Sequence, residues 1–556
     1  MILQGPALHP PEQRYQTLPE LFSYSFINYP DRVAFSAAGA VYTYRDINRL
    51  SRNFAAYLQY QTDLQPGDRI LIQLPNIVQY AVAAIGALRA GLVLVNSSPQ
   101  STPAEMQHQF GHSGARALVL WHENIVAIAA LAPATQIHYS FVVQAGDLLS
   151  LPRRWIQSVR QGWRQTTAAH WAGLNNPLSF VKALHKGGRL KYQLPALRPD
   201  QLAVLQYTAG TSGEARGVML SHGNLLANVQ QILQQFSDQL VSGKEVAIVP
   251  LPLTHIYSFT LNMLTLQAVG AHRVLIADTE DISALLNEML RWPFTLFSGL
   301  NGLFMALCRT PGLQAVGFKA LQLTISGGMA LSNTVMNSWP LITGCDIVEG
   351  YGLTETSPVV AVNVPSQAQS LSVGTPLPGT EVQVMDSVGE VLPEGEAGEL
   401  WVRGPQVMQG YWQDPVATEA VLRASGWLAT GDIARLARNG HITLIDRKCD
   451  LIHVAGFSIY PNELESIIAS HPGVLECAVI GVPDETTGEQ IKAYIVPANS
   501  RLSVKVVRDY CRERLTSYKV PQQVEFCQTL PRTSIGKVQR RSLRAGVGST
   551  AQSPAR

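Results

Sequence analysis

YTAGTSGEARGVML, residues 207–220, sets three glycines, two threonines and a serine between two apolar segments. QLAVLQY (201–207) reads as a strand, so a strand leads straight into a hydroxyl-rich loop. Gly210, Gly213 and Gly217 allow the backbone to take positive φ and to approach a ligand closely. Thr208, Thr211 and Ser212 add donors, and free backbone N–H groups in such a loop form a nest for an anion. The pattern G-x-x-x-x-G-K-[ST] does not fit, because the spacing from Gly210 lands on Ala215. Taken alone, the loop is either a cradle for a phosphate or a glycine-rich surface turn. The rest of the chain decides between them.

With 556 residues, the chain is long enough for more than one domain. Apolar residues make up 46%, enough for a substantial core, and a net charge of +2 gives no global field calling for nucleic acid. The six cysteines lie far apart with no C-x-x-C pair, which argues against a zinc cluster or disulfide framework and fits a reducing, cytoplasmic setting. MILQGPALHPPEQRYQ is polar and proline-bearing, unlike a signal peptide. The most apolar stretch, YAVAAIGALRAGLVLVNSS (80–98), is interrupted by Arg89 and glycines and reads as a buried helix and strand.

Residues 68–96 read strand, helix, strand, and TPAEMQHQFGHSGARALVLW (102–121) adds another helix and strand. Apolar strands alternating with helices indicate a buried, largely parallel sheet. The pattern returns at 318–362, then gives way over 380–446 to short strands with turn signals. Past about 450 a compact α+β stretch follows. Pro461 opens a helix with Leu464, Ile467 and Ile468 on one face. Ser503 caps a second, with Val506, Val507, Tyr510 and Cys511 expected on its buried side. The tail from Gly546 is small and polar and reads as disordered.

Residues 153–192 carry Arg153, Arg154, Arg160, Arg164, Lys182, Lys186, Arg189 and Lys191 with no acidic residue, and Trp155, Trp163 and Trp171 recur every eight residues. This mix suits an anionic membrane surface. It also suits a solvated basic insertion whose tryptophans pack on the domain.

Further stretches carry chemistry-bearing residues. LTISGGMA (323–330) ends a strand in two glycines, where a flat ring could lie against backbone. EGYGLTET (349–356) reads as a glycine turn before Thr354 and Glu355. GWLATGD (426–432) ends in Asp432, an acceptor for sugar hydroxyls. DRKCDLIHVAGFSIYPNELE (446–465) joins the large region to the compact one. LPRTSIGKVQRRSLR (530–544) places Lys537 after Gly536 in a loop.

In this order, these stretches resemble the adenylate-forming (AMP-binding) superfamily of acyl-CoA synthetases, most closely the bacterial long-chain fatty-acid–CoA ligases. The resemblance runs from about residue 14 to 545 and includes LPLTHIYSFT (251–260) and GPQVMQGYWQDPVAT (404–418). It implies an α/β fold. A large N-terminal domain (1–446) has parallel-rich sheets sandwiched with helices plus a β-rich subdomain. A hinge (447–449) leads to a small mobile α+β C-terminal domain (450–545) and a disordered tail (546–556).

The resemblance also implies a reaction in two halves. A fatty-acid carboxylate attacks the α-phosphorus of ATP, giving acyl-adenylate and pyrophosphate; the thiol of CoA then displaces AMP. Thr208, Gly210, Thr211, Ser212, Gly213 and Arg216 would hold the β- and γ-phosphates. Glu355 would ligate Mg²⁺ and Thr354 would contact the α-phosphate. Gly328, Met329 and Tyr351 would frame the adenine, and Asp432 and Arg447 would hold the ribose. Lys537 would neutralise the α-phosphate and acyl carboxylate together, and His255 would stand near that carboxylate. Tyr257, Leu261 and Gly299 would wall the acyl site, Gly456 would contact CoA, and Cys449 would be the hinge residue.

Three departures from the family pattern accompany it. Arg216 stands where relatives usually carry Lys, Cys449 where they carry Lys or Asp, and Thr254 where close relatives often carry Tyr. Two further readings stay open: transfer of the acyl group to a carrier-protein thiol, and a non-catalytic sensor of acyl chains or nucleotide. Peripheral attachment to the inner face of the membrane and a homodimer are options that the sequence does not decide.

Overall fold

Arg69–Gln73, Val78–Arg89 and Val93–Asn96 form strand, helix and strand, as their pattern requires. Every residue of the helix is buried, which is why its sequence is apolar on nearly all sides. Arg89 closes it by donating to the Asn48 carbonyl (3.2 Å), Asn48 Oδ1 (2.8 Å) and Ser51 Oγ (3.1 Å), so its buried cation is solvated by the protein. The computed structural model describes residues 1–9, 15–131, 135–144, 146–149, 171, 173–208, 215–278, 281–364, 369, 372–454, 457–484, 486–499, 502–532 and 537–545.

Among the described residues the strands form four sheets. In an 8-stranded sheet, the strands from Leu202–Tyr207 through Val93–Asn96, Arg69–Gln73, Ala117–Trp121 and Tyr139–Val143 to Pro177–Ser179 run parallel. In a 9-stranded sheet, Ile347–Gly352, Leu323–Gly327, Leu296–Gly299, Val246–Val249, His272–Leu275 and Val33–Ala37 run parallel. The largest core cluster takes its side chains from the helices between these sheets: Phe22, Phe54, Ile85, Val229 and Leu264 are all buried in it. A 5-stranded antiparallel sheet joins Ile2–Gln4 to Glu381–Met385, Gly398–Arg403, Leu428–Leu436 and Ile442–Arg447. The last sheet pairs Val474–Asp484 with Gly488–Pro497 and packs on the helix Pro461–Ala469, with Leu464 and Ile468 in its own core. This is the mixed α/β architecture the pattern implied.

Some local readings change. Gly350, Tyr351 and Gly352 do not form a turn but end the strand Ile347–Gly352; the turn lies at Thr354–Thr356. Gly352 is needed there, because a Cβ would lie 1.9 Å from the Pro358 carbonyl oxygen. In the helix Val504–Arg512, Val507 and Cys511 are buried, whereas Val506 is 42% exposed. One residue is 100° of helix, so a stripe through 507 and 511 turns 506 outward.

Within 153–192 the structure describes 171 and 173–192. Helix Phe180–Gly187 buries Phe180, Ala183 and Leu184, while Lys182, Lys186, Arg189 and Lys191 are exposed. Trp171 packs partly buried against a core cluster. Arg153, Arg154, Arg160, Arg164, Trp155 and Trp163 lie outside the described residues, as does the tail 546–556. Among the described residues no helix is long and apolar enough to cross a membrane.

Candidate active site

The loop 208–216 is the connection of a β-hairpin. Gly217 stands opposite Tyr207 in antiparallel register, and the Thr208 N–H donates to the Arg216 carbonyl (3.0 Å). Both Thr208 and Arg216 line a cavity of about 1170 Å³. Gly210, Thr211, Ser212 and Gly213 lie outside the described residues. The Arg216 guanidinium sits 5.3 Å from the centre of the Tyr411 ring and 3.6 Å from Asp414.

The same cavity is lined by Gly328, Tyr351, Thr354, Glu355, Asp432, Arg447, Cys449, Lys537, His255, Tyr257 and Leu261. Residues from three sheets and the C-terminal segment thus converge on one space. Gly299 and Met329 are not among its lining residues, whereas Leu300 and Gly328 are. Gly328 holds φ at +81°, a conformation suited to glycine. Gly456 lies outside the described residues.

Asp432 and Arg447 face each other on adjacent antiparallel strands. The Tyr351 hydroxyl donates to Asp432 Oδ2 (2.7 Å), and Arg447 Nε lies 3.4 Å from Oδ1. Burial, then the neighbouring Asp432 charge, pushes the Tyr351 phenol well up, so it stays a donor. Glu355 sits in the turn after Gly352 and accepts from the Tyr411 hydroxyl (2.9 Å). Burial raises its carboxyl above the usual range, while Tyr411 and Arg447 work the other way. Among the described residues no group of three or more His, Cys, Asp or Glu could hold a metal. The Glu355 carboxylate fits Mg²⁺, which takes one or two carboxylates and completes its shell with water and substrate phosphates.

Lys537 enters from the C-terminal segment. Burial, then the nearby Arg447 charge, lowers its ammonium to about 8. His255 caps a short helix, and its Nδ1 accepts the Tyr257 N–H (3.3 Å). Burial lowers this imidazole to about 4, so near neutrality it is uncharged with its proton on Nε2. Beyond it the lining turns apolar: Leu261, Ile232, Phe236, Val359 and Val362. Asn228 fixes this wall by accepting the Val359 N–H (3.0 Å) and donating to its carbonyl (2.8 Å).

Cys449 lies in the short helix Lys448–Asp450, directly after the strand bearing Arg447, and its side chain is exposed. Lys448 pairs with Glu399 at 2.8 Å. On the far side, Arg540 pairs with Glu465 (2.7 Å) and Asp450 (3.4 Å), and the Asn462 N–H donates to Asp446 (2.8 Å). The sequence reading missed Tyr411. Its signal was the GYW of residues 410–412, quoted without a role because a phenol beside Glu355 comes from a strand 56 positions away.

Strands of the parallel sheets, the hairpin residues Thr208 and Arg216, and Lys537 of the C-terminal segment thus line one cavity. The sequence matches the AMP-binding enzyme family over residues 23–412 and the AMP-binding enzyme C-terminal domain over 463–537, and the chain belongs to this family. Its relatives include the long-chain-fatty-acid–CoA ligase of Escherichia coli O6:H1, 41% identical over 96% of this chain and 94% of the relative. That of Haemophilus influenzae is 38% identical over 96% and 95%. Among solved structures, ATP-bound MatB from Rhodopseudomonas palustris is 27% identical, with a TM-score of 0.82 over 95% of this chain and 98% of that one. Apo MatB from the same organism, at 26% identity and the same coverage, gives 0.69.

Proposed function

We infer that this chain is a fatty-acid–CoA ligase that converts a medium- or long-chain fatty acid to acyl-adenylate with ATP and then to acyl-CoA, releasing pyrophosphate and AMP. The observation that carries this reading is the continuity of one cavity, from Asp432, Glu355 and Lys537 to the apolar wall of Ile232, Phe236 and Val362. A nucleotide and a hydrocarbon chain fit the two ends, with the carboxylate meeting phosphate between them. Relatives named for this reaction over nearly the full length of the chain support it.

A carboxylate is a poor acyl donor because its leaving group would be oxide; adenylation replaces oxide with AMP. Two anions must meet first, so positioned cations and dipoles do most of the work. Asp432, braced by Tyr351 and Arg447, accepts from the ribose hydroxyls. Thr208, Arg216 and Thr354 face the phosphates, and Glu355 would hold the magnesium ion, which supplies charge neutralisation on them. Lys537 places an ammonium between α-phosphate and carboxylate. Neutral His255 offers Nε2–H to the carboxylate without adding net charge. The Tyr257–Leu261 face and the Ile232–Phe236 face exclude water from the chain.

Pyrophosphate release on adding ATP and a C12–C18 acid, followed by thioester formation on adding CoA, is the test; ATP consumption that does not depend on a fatty acid overturns the reading. Glu355→Gln keeps the shape and removes the charge. It should raise the magnesium concentration for half-maximal adenylation by about tenfold, and Tyr411→Phe, which frees the carboxylate, by somewhat less. An unchanged magnesium titration in Glu355→Gln would remove that residue from the metal site.

The C-terminal segment is placed with Lys537 in the cavity, and the higher score against ATP-bound than apo MatB supports reading this as the adenylating arrangement. Thioester formation then requires the segment after 449 to swing, with Cys449 as pivot.

A further inference from the structure

Asn96 and Gln206 lie on neighbouring strands of the 8-stranded sheet, Val93–Asn96 and Leu202–Tyr207, and stand side by side in the parallel register. Both are buried, both line the cavity, and neither has been given a role. Gln206 Nε2 donates to the Thr254 carbonyl (3.1 Å). Asn96 Nδ2 donates to Gln206 Oε1 (3.1 Å). The Tyr80 hydroxyl, from the helix Val78–Arg89, lies 2.8 Å from Asn96 Oδ1 and 2.9 Å from the Leu253 carbonyl, so its one proton serves two acceptors. Asn76 donates to the Leu251 carbonyl (2.8 Å) and accepts the Leu253 N–H (2.8 Å). Polar side chains of the 8-stranded sheet and its connections thus hold the segment 251–254, which leaves the 9-stranded sheet after Val246–Val249.

The direction of this chain of bonds is fixed from its far end. A carbonyl oxygen only accepts, so Gln206 must turn its amide nitrogen to Thr254. That leaves Oε1 towards Asn96, which answers with Nδ2 and keeps Oδ1 towards the Tyr80 hydroxyl. Burial pushes the Tyr80 phenol well up, so it stays a donor. Turning either amide over would set oxygen against oxygen in a buried site, where an unmade hydrogen bond is costly.

The bond at Thr254 falls on the peptide group from which His255 hangs. The N–H of that group, which belongs to His255, donates to the Pro252 carbonyl (3.0 Å). A peptide group is planar, so tying its carbonyl and its N–H fixes its orientation, and with it the start of the His255 side chain. We propose that Gln206 is a positioning residue for the fatty-acid carboxylate: held by Asn96, it fixes the 254–255 peptide and so sets where His255 presents Nε2–H in the cavity. This rests on the reading that His255 meets that carboxylate. On the same reading ATP is held by other residues, so the effect belongs in the affinity for the acid, with little in that for ATP.

The experiment removes the donor and then asks whether His255 carries the loss. Gln206→Met keeps the length of the side chain without its amide, and Gln206→Asn keeps an amide that falls one methylene short. KM for dodecanoate and KM for ATP are read from pyrophosphate release, in the otherwise unaltered chain and beside His255→Leu. Each Gln206 variant should raise KM for dodecanoate about fivefold, the worth of one hydrogen bond, and leave KM for ATP within about twofold. Asn96→Leu, which frees the Gln206 amide to turn, should raise KM for dodecanoate by about two- to threefold. With His255→Leu already present, Gln206→Met should change it by less than about twofold, because a residue that acts only through His255 has nothing left to set. An equal rise in both backgrounds overturns the proposal, since Gln206 would then act without His255. So does a matching rise in both KM values with a lowered thermal midpoint, which would make Gln206 part of the general scaffold. His255→Leu alone separates the two readings: if it raises KM for dodecanoate while the Gln206 variants do not, the positioning fails and the role of His255 stands. If His255→Leu leaves that KM unchanged, the role of His255 fails and the positioning with it.

Discussion

Lys537→Ala should slow adenylate formation by about a hundred- to a thousandfold, the range for removing one preorganised charge from a developing transition state. Thioester formation from supplied acyl-adenylate should fall far less, because the swing proposed above would carry Lys537 away. Single-turnover measurements of pyrophosphate and thioester separate the steps, and equal loss in both would remove the lysine from its role. The ammonium titrates at about 8, lowered first by burial and then by Arg447. Only the protonated form neutralises phosphate and carboxylate, so kcat/KM for adenylation should decline as pH rises through about 8. Lys537→Arg should move that limb upward. The sign for stability is opposite to that of a salt bridge. A lysine whose folded pKa lies below its ordinary value destabilises the fold below about 8, and the penalty fades as pH rises towards the unfolded value. Lys537→Met should therefore keep or raise the thermal midpoint at pH 7, so that lost activity cannot be ascribed to unfolding.

Cys449→Pro should leave pyrophosphate release nearly intact and abolish transfer to CoA by about a hundredfold or more. Cys449 sits in a 3₁₀ turn, Lys448–Asp450, and turns of that kind hold φ near the value that proline enforces. A proline ring there resists the dihedral change that a swing at this residue requires. Cys449→Lys, the residue that the resemblance leads one to expect there, should leave both halves working. Thioester formation by the proline variant at the wild-type rate would place the pivot elsewhere, with Arg447 or Lys448 the next positions to test.

The parallel sheets were legible because their strands are bounded and apolar through their centres: Arg69–Gln73, Val93–Asn96 and Ala117–Trp121 fall where the pattern put them. Residues near Asp432 and Lys537 were legible only in company. No spacing rule joins a strand at 432 to a loop at 537. The glycines of 350–352 misled as a turn signal because steric closeness to Pro358, not chain reversal, demands Gly352. Val506 misled because a β-branched residue beside a buried stripe looks the same in sequence whether it faces in or out. Tyr411 and Asn228 were given no role. Each acts through a partner at least 56 positions away, and a single sequence carries no trace of such pairs.

The exposed thiol at 449 has a practical use in spectroscopy. Cys345 and Cys511 are buried, Cys308, Cys477 and Cys527 are half-buried, and burial raises the thiol of all five. Thiolate and access together govern alkylation, so a small maleimide dye at neutral pH should mark position 449 of the unaltered chain ahead of the others. Its emission would follow, in real time, whether nucleotide or acyl-adenylate fills the neighbouring cavity, with no engineered cysteine and no second label.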